Sequence, residues 1–115
     1  MENYLLGALP QSDFNRLMPY LELVFMPTGH ELYVLGMNLR YVYFPTTAVV
    51  SLFYILESGA TAVIAIVGNE GIVGVCSFMG GHSTPGNAIV QNVGFGYRLK
   101  VQHLKNEFNR VGKSE

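Results

Sequence analysis

Residues 48–75 read AVVSLFYILESGATAVIAIVGNEGIVGV, and this stretch decides the fold class. Ala48–Leu56 and Thr61–Val67 are rich in Val, Ile, Phe and Tyr, side chains that suit a pleated surface. They flank Glu57-Ser58-Gly59-Ala60, a short glycine-containing loop of the hairpin kind. Thr61–Val67 is apolar on both alternating faces, which predicts an inner strand covered on both sides in a closed or double-layered β structure. The run Gly68-Asn69-Glu70-Gly71-Ile72-Val73-Gly74-Val75 follows directly. Asn69 is placed to cap a helical turn, and the glycines let the backbone bend closely. A helix N-terminus here would offer free N–H groups to an anion such as phosphate. A tight structural corner that binds nothing is the other reading of the same residues.

Outward from this stretch, turn signals recur at Pro27-Thr28-Gly29, Gly36, Pro45, Gly80-Gly81, Pro85-Gly86 and Gly94. Their spacing of roughly 8–12 residues is that of a sandwich or barrel of short strands. The segments between them predict strands at Leu21–Met26, Glu31–Leu35, Tyr41–Phe44, Asn87–Asn92 and Gly96–Leu99. The ends read as helix. Leu5, Leu6 and Leu9 suggest a short helical piece, and Pro10 suits the first turn of another. Phe14, Leu17, Met18 and Leu21 then fall near the spacing of one helical face. Val101–Asn109, with Leu104 and Phe108 four apart, predicts a C-terminal helix that Gly112 ends.

Composition narrows the function. The 115 residues suit a single domain, with helices over 1–20, strands over 21–99 and the start of a helix over 101–110. Half the residues are hydrophobic and 13% are charged, against about 25% in an average domain, which excludes disorder. Seven Lys and Arg against eight Asp and Glu leave no electrostatic footprint for nucleic acid. Cys76 is the only cysteine, so the chain has no internal disulfide and no four-cysteine metal site. The longest apolar stretch, Ala62–Val67, is far shorter than the roughly 18–20 residues of a membrane span. The N-terminus has no signal-peptide pattern, and a cytoplasmic location is the expectation.

Taken together, Leu9-Pro10, Asp13-Phe14, Arg16-Leu17, Pro27-Thr28-Gly29, Tyr41 to Thr47, the Gly71–Val75 turn and Tyr97-Arg98-Leu99 resemble the cyclic-nucleotide-binding-like sensor domain of Crp/Fnr-type bacterial transcription regulators. The resemblance covers nearly the whole chain. It implies a mainly β fold: an eight-stranded β-roll of the jelly-roll, double-stranded β-helix type, with short N-terminal helices and a C-terminal helix. In nucleotide-binding members the turn reads Gly-Glu-apolar-Gly-apolar, and its Glu holds the ribose hydroxyl. About ten residues later an Arg pairs with the cyclic phosphate. Here Ile72 stands in place of that Glu. The Arg position falls within His82-Ser83-Thr84, and no Arg lies between Arg40 and Arg98. A neutral Ser or Thr cannot make the bidentate pair that Arg makes with phosphate. Glu70 is one residue early. The ligand-binding positions implied are thus degenerate: Glu70, Gly71, Ile72, Val73, Gly74, Val75, His82, Ser83 and Thr84. They predict a domain that does not bind cyclic AMP in the usual way.

Relatives of this type continue into a dimerisation helix and a DNA-reading helix-turn-helix. No helix-turn-helix fits in these residues, so the chain is expected to be a fragment, a shortened product or a module acting without DNA. Val101, Leu104 and Phe108 are the expected helix or dimer contacts. The first functional reading is a non-catalytic sensor domain of a homodimeric regulator, with no cofactor and an unidentified small-molecule effector. The second is a ligand-free dimerisation or interaction module whose pocket is filled by Ile72, Val73 and Val75. A cupin-like metal enzyme stands further off, because His30, His82 and His103 are scattered and show no His-x-His cluster. Cys76 reads as a buried small hydrophobe or as a redox-sensing thiol. His30 reads as a solvated turn residue.

Overall fold

The computed structural model describes residues 3–74 and 86–113; in its last helix the side chains of 108 and 110–113 fall outside the description. Two short helices, α1 (Tyr4–Gly7) and α2 (Gln11–Leu17), lead through a 3-10 turn, Met18–Tyr20, into the strands. Seven strands lie among the described residues: β1 (Glu22–Met26), β2 (Glu31–Tyr33), β3 (Tyr41–Pro45), β4 (Val49–Ile55), β5 (Thr61–Val67), β6 (Asn87–Asn92) and β7 (Gly94–Lys100). Helix α3 (Val101–Lys113) follows without a break. All pairings are antiparallel, in two sheets ordered β1-β7-β3 and β2-β6-β4-β5. The mainly β fold and both helical ends agree with the sequence reading.

Strand β3 shows why two cores form. Its pleat sends alternate side chains to opposite faces. Val42 and Phe44 go to one side, where they pack with Leu6, Leu17, Leu99 and Val101 between the sheet and the helices. Tyr43 goes to the other, against the roll interior of Met26, Leu32, Val50, Val73 and Val90. Arg16 ties α2 to α3 through Glu107 at 2.7 Å and also pairs with Asp13. Tyr20 stacks on His103 with ring centroids 3.9 Å apart.

Three expectations are corrected. β5 is an edge strand of its sheet, not an inner one, and Val63, Ile64 and Ile66 are exposed. Two-faced apolarity does not distinguish a central strand from an edge one. The register shift between Leu52 and Phe53 also re-aims the side chains, as a bulge does. Second, α2 stops at Leu17. Met18 keeps helical geometry (φ −50°, ψ −44°), but Pro19 has no N–H to extend the α-helical ladder, so the chain tightens into the 3-10 turn, Met18 is exposed and Leu21 reaches the helix-side cluster from extended backbone. Third, α3 runs through Gly112 to Lys113; one glycine inside a helix costs only about 1 kcal/mol.

The corner between β3 and β4 is closed by one carbonyl. Phe95 C=O accepts N–H bonds from Thr46, Thr47 and Ala48 at 3.0, 3.1 and 3.2 Å, and a hydroxyl bond from Thr46 Oγ1 at 2.9 Å. Thr47 Oγ1 accepts from Phe95 N at 2.8 Å. This contact requires a glycine at 94, because a Cβ there would sit 2.4 Å from Ala48 N and 2.5 Å from Thr47 C. Gly94→Ala is therefore expected to lower stability by about 1–3 kcal/mol, as overpacking against backbone does. A urea-denaturation midpoint equal to that of the parent chain would refute the contact.

Candidate functional site

The turn leaving β5 holds the residues that the sequence singled out. Glu70 folds back: its Oε1 accepts from Gly68 N at 3.1 Å. That bond, with a second from its own N–H, holds the exposed carboxyl below its ordinary range. Gly71 N donates to Gly68 O at 3.3 Å. No helix begins within 68–74, so the expected helical cap at Asn69 is corrected. The Asn69 carbonyl instead accepts the first N–H of α1, Tyr4 N, at 2.7 Å. A helix leaves its first N–H groups without internal partners, and α1 takes one from this turn.

A second tie runs through Asn3, which is buried. Its Oδ1 accepts from Leu5 N and Leu6 N at 2.9 and 3.0 Å, capping α1. Its Nδ2 donates to Pro45 O at 2.8 Å and Gly71 O at 2.9 Å. One amide thus joins α1, the end of β3 and the turn. Sequence reasoning missed Asn3. The signal was an N-cap residue ahead of Tyr4-Leu5-Leu6, but the two long-range acceptors have no local signature.

Beyond Gly71 the pleat separates neighbours. Ile72 packs on the helix-side cluster. Val73 is fully buried in the roll interior, where it exchanges backbone bonds with Tyr43: Tyr43 N to Val73 O at 3.0 Å and Val73 N to Tyr43 O at 2.8 Å. Burial raises the Tyr43 phenol above its usual range. Gly74 has φ +103°, a backbone conformation that calls for glycine.

The structure therefore brings Glu70, Gly71, Ile72, Val73 and Gly74 together on one turn. Val75, Cys76, His82, Ser83 and Thr84 lie outside the described residues. Val101 is buried and Leu104 half-buried, both on the helix-side cluster that Ile72 joins; the side chain of Phe108 falls outside the description. His30 is exposed at its turn. A cavity of about 730 Å³ lies between α1, α2 and Tyr97, and no residue of the turn at 68–74 lines it. Among the described residues no three His, Cys, Asp or Glu converge on a point where a metal ion would sit, and no helix is long and apolar enough to cross a membrane.

No protein-family model and no curated protein matches the chain. Solved structures do. The chain is similar to the catabolite activator protein of Thermus thermophilus, with TM-score 0.76 and 16% identity over 94% of this chain and 51% of that one. It spans about half the length of that regulator. The N-terminal domain of a transcriptional regulator from Streptomyces coelicolor A3(2) matches at TM-score 0.77 and 20% identity, over 96% of this chain and 78% of its own. The regulatory subunit of a cAMP-independent protein kinase A from Trypanosoma brucei matches at TM-score 0.80 and 16% identity, over 97% and 42%. At these identities the likeness is one of fold: the chain has the architecture of cyclic-nucleotide-binding domains and of Crp-type regulators.

Asn3→Ala should cost about 2–3 kcal/mol, since it removes a helix cap and leaves two carbonyls without their donor. Asn3→Ser should restore only the cap, and so about half of the loss. Equal denaturation midpoints for Asn3→Ala and the parent chain would count against the tie. Glu70 should titrate below the ordinary carboxylate range. Its folded value is depressed, so its contribution to stability is full above the unfolded value and disappears as pH falls through the folded one. An NMR titration of its side-chain carbons that placed the midpoint at or above the ordinary range would contradict the bond to Gly68.

Proposed function

We propose that the chain is a non-catalytic sensor or effector domain of the Crp/Fnr type that does not hold cyclic AMP in the usual way. The observation that carries this reading is the placement of three neighbours on the turn. Ile72, at the position implied for the ribose-holding Glu, is engaged with the helix-side cluster. Val73 occupies roll interior. Glu70, the nearest acid, is spent on the backbone of its own turn. From Tyr41 to Tyr97 the sequence contains no Lys or Arg, so this part of the fold has no permanent cation to meet a cyclic phosphate. The Trypanosoma brucei relative in fold is named as cAMP-independent, which supports use of this architecture in regulation without that nucleotide.

The mechanism in this reading is a population shift. Ile72 of the turn and Leu104 of α3 pack on the same buried cluster. A change at the turn that moves Ile72 alters the seat of α3. An effector, or a redox change in the segment reaching from Gly71 to Thr84, acts by favouring one packing over another. In a homodimeric regulator, α3 would carry the change to DNA-reading domains that these residues do not include. The effector is a small molecule other than cyclic AMP, and no metal or cofactor is invoked. The alternative, a ligand-free dimerisation or docking module, is favoured by one observation: Val73, just behind the turn, is fully buried.

Calorimetric titration with cyclic AMP should give no binding in the micromolar range. Ile72→Glu should not create such binding, because the new carboxylate would enter the helix-side cluster. It should instead lower stability by about 2 kcal/mol. Micromolar binding of cyclic AMP by the parent chain would overturn the reading.

A further inference from the structure

Only seven residues of the chain are Lys or Arg, and their distribution is uneven. Arg16 is paired with Asp13 and Glu107. Arg98 is paired with Glu22 at 3.2 Å and lies 4.3 Å over the Tyr41 ring. Arg40, Lys100 and Lys105 instead line a single cleft of about 430 Å³, with Leu39, Tyr41 and Gln102. Among the described residues none of these three forms an ion pair.

The fold gathers them from separate parts of the chain. Tyr41 faces Lys100 at the end of the β3–β7 ladder, which sets Arg40 beside the start of α3. Arg40 O accepts from Val101 N at 2.9 Å, locking that approach. Lys105 stands four residues after Val101, one helical turn along the same face. The first turn of α3 contains no acidic residue, so nothing there offsets the three charges. Gathering like charges without a counter-charge is unfavourable, and among the described residues no ion pair uses these cations.

We propose that this cleft is a binding site for a small ligand carrying two or more adjacent phosphate groups. Its size falls in the range of small-molecule sites, roughly 300–1,000 Å³. Three cations lining one cleft, from the residue before β3, the end of β7 and α3, match a diphosphate better than a single carboxylate, which would leave part of the positive charge uncompensated. Arg supplies a planar fork for phosphate oxygens, and Lys supplies point charges that adjust to them. The site is separate from the turn at 68–74, and its fate does not decide the reading proposed for that turn. Because it adjoins the β7–α3 junction, an anion bound there would brace α3 against β3.

The test is calorimetric titration of the full chain with inorganic pyrophosphate at low ionic strength. Saturable 1:1 binding is expected, weakening as salt is raised. Arg40→Gln and Lys105→Gln should each weaken it about tenfold, equivalent to about 1.4 kcal/mol. Lys113→Gln removes the same charge from the far end of α3, about 18 Å along the helix, and should leave the affinity within about twofold. Among the described residues neither Arg40 nor Lys105 forms an ion pair that Gln would remove, so unchanged melting curves are expected for these two variants. Absence of saturable binding at millimolar pyrophosphate would overturn the proposal. So would an equal loss in Lys113→Gln, which would mark an effect of net charge alone, or equal affinity for acetate, which would show that paired phosphates are not what the cleft selects.

Discussion

Burial of β3 on both faces is the constraint from which the rest follows. Val42 and Phe44 face the helices, and Tyr43 faces the roll interior. A strand covered on both sides must pair on both edges, because an unpaired buried backbone group costs as much as a lost hydrogen bond. On one edge β3 meets β7. On the other, Tyr43 exchanges bonds with Val73. The turn at 68–74 is therefore held on the outer edge of β3, the last strand of the β1-β7-β3 sheet, and its conformation is not that of an independent surface loop.

From this position the turn reaches both cores. Val73 enters one and Ile72 the other, and Asn3 ties the Gly71 carbonyl to α1 and to Pro45. The helix-side cluster also receives Val101 and Leu104 of α3. A route of contiguous packing thus runs from the turn, through side chains of α1, α2 and β3, to the C-terminal helix. Such a route gives a sensor reading physical content: a change at the turn has something rigid to push against. It also accounts for the chemistry of the turn. Residues committed to packing and to backbone bonds are not free to grip a polar ligand.

Charge is divided as sharply as packing. The glycine-rich turn has its one acid engaged with its own backbone, while three of the basic residues surround the start of α3. Two regions with different chemistry therefore adjoin the same helix. One is apolar and linked to α3 through the helix-side cluster. The other is cationic and faces solvent.

Much of this fold was legible before any coordinates. Alternating β-branched and aromatic residues between glycine and proline turns located all seven described strands, and the leucines near the start and the Leu104 spacing located the helices, because these signals are local. The apolar Ile72 within the Gly71–Gly74 turn was legible for the same reason. The sequence alone thus determined strand positions and turn positions. Tertiary structure decided which strands lie at an edge, which core each side chain joins and which polar groups meet. Asn3 and Gly71 are 68 residues apart in the chain, and Arg40 and Lys105 come together only because β3 and β7 pair in one register. No local pattern encodes such meetings. They depend on where the chain returns to itself, which is set when the sheets and helices bury their apolar faces together.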